Sequence, residues 1–100
     1  MSGVNQPYDY PYETVAVSQT GQVLGGVGAA GDYLHRLIIS VATAATSTVT
    51  LLDGATSIVI MAANTAIGTY SVEMNLRSAG AWSVTTGAGA SVIAVGKFSA

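Results

Sequence analysis

One hundred residues are enough for a single domain that buries roughly 60% of its unfolded surface without metal or disulfide staples. Only 8% of the residues are charged and they sum to −2, so no basic footprint exists for gripping phosphates, and nucleic acid is not an expected partner. The absence of cysteine excludes disulfides and thiolate metal sites.

Half of the residues are hydrophobic, but with a single Phe and a single Trp the apolar mass rests largely on alanine and valine. Gly, Ser and Thr fill most of the remainder, a mixture that favours thin β-structure over a thick helical core. No secretory signal is expected at Met1-Ser2-Gly3-Val4, which lacks both a positive region and an apolar core. The longest wholly apolar runs fall far short of the roughly 18 residues that a bilayer requires, so no membrane partner is expected. So little surface charge suits a chain whose skin meets a partner or another copy of itself.

The first element is an arm, residues 1–12, that ends in PYDYPY. Both prolines of the chain, Pro7 and Pro11, and three of its five tyrosines, Tyr8, Tyr10 and Tyr12, fall in this stretch. Proline fixes its own φ and pushes the preceding residue toward extended geometry, which sets the three tyrosines on roughly one side. Burying three tyrosines removes about 450–750 Å² from water, worth on the order of 11–19 kcal/mol. Ordering about eight residues costs roughly 8–16 kcal/mol, and prolines lower that cost by stiffening the free arm. The arm is therefore read as a docking segment, with Pro7, Tyr8, Tyr10, Pro11 and Tyr12 as its partner-binding residues.

Residues 13–100 are read as one β-domain. ETVAVS and QVLG give two short strands around Thr20-Gly21. Gly26-Val27-Gly28-Ala29-Ala30-Gly31 then matches G-x-G-x-x-G, and a dinucleotide site would need this turn to open a helix. The following YLHRLIISVATAA can be drawn as a helix with Leu34, Leu37, Ile38, Val41 and Ala45 on one side, but Ile38, Ile39, Val41 and Thr43 are β-branched and favour a strand. No second amphipathic helix follows, so the glycines are read as a connector and the segment as a strand. STVTLLD and TSIVIM flank Asp53-Gly54-Ala55, a strong hairpin signal.

TYSVEMNLR alternates, with Tyr70, Val72, Met74 and Leu76 on one face and Ser71, Glu73, Asn75 and Arg77 on the other. After a turn at Ser78-Ala79-Gly80, AWSVTT alternates likewise. The loop Gly87 to Ala90 leads to SVIAVGKF, apolar on both faces and suited to a buried or interface strand. About eight short strands with turn signals at this spacing predict an all-β fold, a small antiparallel β-sandwich or jelly-roll-like barrel. Trp82, Val84, Val92, Val95 and Phe98 are the expected core anchors.

No catalytic constellation emerges. Asp32, His35 and a serine would make a triad only if they met, and no nucleophile elbow accompanies them. The five acids are scattered, at no spacing that suggests a carboxylate dyad or a calcium loop. No catalytic residue, cofactor or metal site is assigned.

GDYLHRLII, TVTLLDGATSI and SAGAWSVTTGAGASVIAVGKF resemble blocks found in small all-β proteins encoded among the virion structural genes of tailed bacteriophages. The resemblance covers residues 24 to 98 and leaves out the arm. It implies a non-enzymatic structural protein of the virion, made in the host cytoplasm. The implied role is capsid decoration or cement, with many copies bridging the shell. The implied partners are the major capsid protein or another virion protein, and further copies of the chain itself. The alternative is a receptor- or glycan-binding module of the head or tail. An enzyme built on His35 is the remote third reading.

Overall fold

A computed structural model of the chain describes residues 12–99. Eight strands follow one another with no helix among the described residues: Tyr12–Val15 (β1), Gln22–Val23 (β2), Tyr33–Val41 (β3), Val49–Asp53 (β4), Thr56–Met61 (β5), Gly68–Arg77 (β6), Trp82–Thr85 (β7) and Ala90–Lys97 (β8). Each matches a run of β-branched or alternating residues in the sequence. With no helix, none is long and apolar enough to cross a membrane.

The strands form two sheets of four, ordered β1-β8-β3-β6 and β2-β7-β4-β5, with every neighbouring pair antiparallel. Short links join β1 to β2, β3 to β4, β5 to β6 and β7 to β8, and each passes from one sheet to the other. Every strand thus faces a sequence neighbour across the core. Eight strands in this order make a jelly roll, the narrower of the two expected β architectures. Only β4 and β5 form a hairpin. Asp53 pairs with Thr56 across Gly54-Ala55, and Gly54 takes the positive φ (62°) that the turn demands. Elsewhere, links that read as hairpin turns, such as Ser78–Gly80, are crossings between the sheets.

The core lies between the sheets. Leu34, Leu37, Ile39, Val49, Leu51, Val84 and Ala94 are fully enclosed, with Trp82 and Val92 almost so. On β8 the buried positions are Ala90, Val92, Ala94 and Gly96, which settles the face of each remaining residue. Val95 was expected in the core, but it stands three places from Val92 and falls on the outer face, half-buried. Period-two geometry forbids both valines from pointing inward. Phe98 is half-buried, packed against the core from beyond the end of β8.

β3 breaks its own alternation. Its pairing shifts between Leu34 and Arg36, with Leu34 opposite Gly96 and Arg36 opposite Val95, so His35 is an extra residue against β8. Such a bulge lets Leu34 and Leu37, three residues apart, both reach the interior. β6 answers at the same level, where Asn75 adopts a positive φ of 52°. Beyond this irregularity Leu76, expected on the buried face, is 46% exposed.

Two acids hold the loops. Asp53 accepts hydrogen bonds from the Ala79 and Gly80 amides (3.1 and 2.8 Å), tying the β4–β5 tip to the β6–β7 link. Glu13 accepts from the Gly25 amide (2.7 Å) and the Gln22 side chain (2.8 Å), stitching β1 to β2 across the edge of the sandwich.

Candidate functional site

Of the expected docking residues, Pro7, Tyr8, Tyr10 and Pro11 lie outside the described residues. Tyr12 is the first residue of β1 and is 68% exposed. It pairs with Val95, which in turn pairs with Arg36, and Arg36 with Glu73. The next row runs Thr14, Ile93, Ile38 and Ser71. Tyr12, Val95, Ile93 and Ile38 therefore share one patch on the outer face of the β1-β8-β3-β6 sheet. A charged boundary closes it, where the Arg36 guanidinium donates to Glu73 at 3.2 Å. So exposed a pair adds at most about 1 kcal/mol.

The reading of SVIAVGKF as apolar on both faces already pointed to this patch. What the sequence did not give was its extent, because Ile38 joins it only through the β3–β8 register.

The opposite outer face, on the β2-β7-β4-β5 sheet, is different. Its rows run Val23, Ser83, Leu52, Ser57 and Thr85, Thr50, Val59. No residue in them is charged. Val59 is 64% exposed and Val23 42%.

Asp32 and His35, the acid and base of the imagined triad, bond different partners. The Asp32 carboxylate accepts hydrogen bonds from the Ser99 hydroxyl (2.8 Å), the Ser99 amide (3.0 Å) and the Ala29 amide (3.3 Å). Burial pushes its pKa up, but the Ser99 amide and hydroxyl and the Ala29 amide outweigh burial and hold it below the usual aspartate value. His35 instead bonds Asn75 (Nδ1 to Oδ1, 3.0 Å) and lies 3.4 Å from the Tyr33 hydroxyl. The Trp82 indole donates to the Asp32 carbonyl at 2.8 Å, making Asp32 a structural junction.

The glycine-rich stretch is a connector, as expected. It leads into β3 rather than a helix, and several of its amides, among them Val27, Ala29 and Gly31, donate to groups of the protein itself. Val27 N–H donates to the Ser99 carbonyl (3.2 Å) and Gly31 N–H to the Ser78 carbonyl (2.8 Å).

Beside Asp32 lies a cleft of about 460 Å³ lined also by Tyr33, Arg77, Lys97, Phe98 and Ser99. Lys97 and Arg77 flank Tyr33 on neighbouring strands, and the Arg77 guanidinium sits 5.9 Å from the centre of the tyrosine ring. Arg77 also donates to the Gly31 carbonyl at 3.3 Å. Sequence reading did not single out this grouping, since residues 33, 77 and 97 meet only in the folded sheet. No cluster of three metal-ligating side chains occurs among the described residues. No protein-family model, curated protein or solved structure significantly matches this chain.

Proposed function

We propose that this chain is a non-enzymatic structural protein of a tailed-bacteriophage virion, a decoration or cement protein that seats many copies on the capsid. The observation that carries the reading is the apolar outer patch of Tyr12, Val95, Ile93 and Ile38, at the point where the tyrosine- and proline-rich segment enters the sandwich. Jelly rolls serve as capsid and lectin domains. Surfaces built of Thr, Val, Ile and Tyr, with so little charge, suit wide apolar contact with neighbouring proteins better than they suit a chemical site. In this reading the arm and the patch beside it form one docking surface, and Tyr12 belongs to both. A specific contact of this kind buries about 800 Å² per partner.

The test is to assemble particles with and without the chain and compare them by electron cryo-microscopy. Density at regular positions on the shell, present only in the first, is the expected result. Identical maps overturn the reading. A chain lacking residues 1–11 is expected to melt like the full chain yet leave the shell bare.

A second reading rests on the Tyr33–Arg77–Lys97 cleft. A ring flanked by cations is the sort of concavity that a glycan- or receptor-binding module of the head or tail presents. Specific signals on a glycan array, lost on Tyr33→Ala, favour this alternative.

A further inference from the structure

The two sheets end on one side with β6 and β5, joined to each other by residues 62–67. Along this side the sandwich is open. Ile58 and Ile60 of β5 and Tyr70, Val72 and Met74 of β6 pack against the core yet are only partly buried. Val59, Ile67 and Leu76 are exposed beside them, at 64%, 63% and 46%. Among the described residues, β5 and β6 also each have one edge with no neighbouring strand in the sheet order. An apolar seam between two open edges invites another strand.

The four edge strands are not equally suited to self-pairing. β1 carries Glu13 and β2 is only two residues long. β6 carries Glu73 and Arg77. β5, with the sequence TSIVIM, alone combines useful length with no charge. A bulge at Ile60 leaves Thr56 to Val59 as its regular stretch. Antiparallel self-pairing centred on Ile58 sets Ile58 against its own copy and Ser57 against Val59 of the other chain. No like charges meet.

The area is close to that of a standard interface. Ten residues of β6 at about 3.4 Å each give a seam about 34 Å long. Two sheets about 10 Å apart, with their side chains, make it about 20 Å wide, hence about 700 Å². Stable specific interfaces bury about 800 Å² per partner.

We propose that two copies of this chain join about a twofold axis through β5. The two β2-β7-β4-β5 sheets would become one continuous sheet of eight strands, and the seam side chains of each copy would close the open side of the other. A twofold contact uses the same patch on both copies, and the uncharged β5 edge at its centre meets that condition without mismatch. The inference goes beyond particle binding and does not depend on it.

The test uses charge at Ser57 and Val59, both exposed on the outer face. The full chain should have the mass of two chains by light scattering after gel filtration. The Ser57→Lys/Val59→Lys variant should have the mass of one chain, with an unchanged far-ultraviolet spectrum and melting of the single fold. Ser57→Glu/Val59→Glu should likewise be single. A mixture of the two variants should regain the double mass, because lysines then face glutamates. A wild-type chain that stays single at millimolar concentration overturns the proposal. So does a double mass that survives both variants, or a mixture that stays single.

Discussion

Asp32 shows how a residue can be read for chemistry and yet serve architecture. Its three donors come from Ser99 and Ala29, and Ser99 lies 67 positions away. No local pattern could have revealed that partner. Its pKa is lowered on folding. The stabilisation it supplies is therefore present above the unfolded value, near 3.9, and is lost as pH falls through the lower folded value. Asp32→Asn should lose about 1–2 kcal/mol near neutral pH, while once the pH has fallen through the folded value the two proteins should converge in melting temperature. A gap that stays constant from pH 7 to 2 would contradict this account. At the neighbouring junction, Trp82→Phe removes the donor to the Asp32 carbonyl, which keeps the Ser78 amide at 2.9 Å. Loss of one buried hydrogen bond predicts about 1 kcal/mol in urea titration.

At the scale of elements, the strands were legible and their partners were not. Period two gave β6 and β7, Asp-Gly gave the β4–β5 hairpin, and β-branching kept β3 from being a helix. The buried phase of β8 was misjudged at Val95 because its two faces are nearly equal in hydropathy, and only pairing with β3 breaks the tie. The bulge at His35 was invisible for a similar reason, since it is defined against β8 and β6 rather than within β3. Of the site, the arm's composition was legible, but the strip beside Tyr12 and the cleft at Tyr33 join residues far apart in sequence. Gly25 gives a further check. Its φ is +80°, and an added β-carbon would collide with the Ser99 carbonyl. Gly25→Ala should displace the segment around Ser99 and lower the melting temperature by several degrees. Leu51→Ala, at a fully enclosed position of β4, should cost about 2–5 kcal/mol by the cavity it leaves.

For the molecule as a whole, pairing of the first strand with the last decides the kinetics. β1 joins β8 through Glu13 opposite Ala94 and Val15 opposite Val92, so the sheet is complete only when the first and last of the described strands meet. Such non-local topology predicts folding in milliseconds to seconds rather than microseconds, measurable by stopped-flow tryptophan fluorescence of Trp82. Net charge acts at the same scale. With −2 at neutral pH and an isoelectric point near 4.8, little repulsion keeps copies apart, and light scattering should rise as pH is lowered toward that point.

The meeting of β1 and β8 also has a practical meaning. Tyr12 lies across from Val95, so polypeptide enters and leaves the body side by side at one corner. A short linker from tail to head, with a new opening cut at 54–55, should yield a rearranged chain of the same architecture. A bulky passenger protein fused behind Lys97 would instead crowd the tyrosine strip and block whatever seats there.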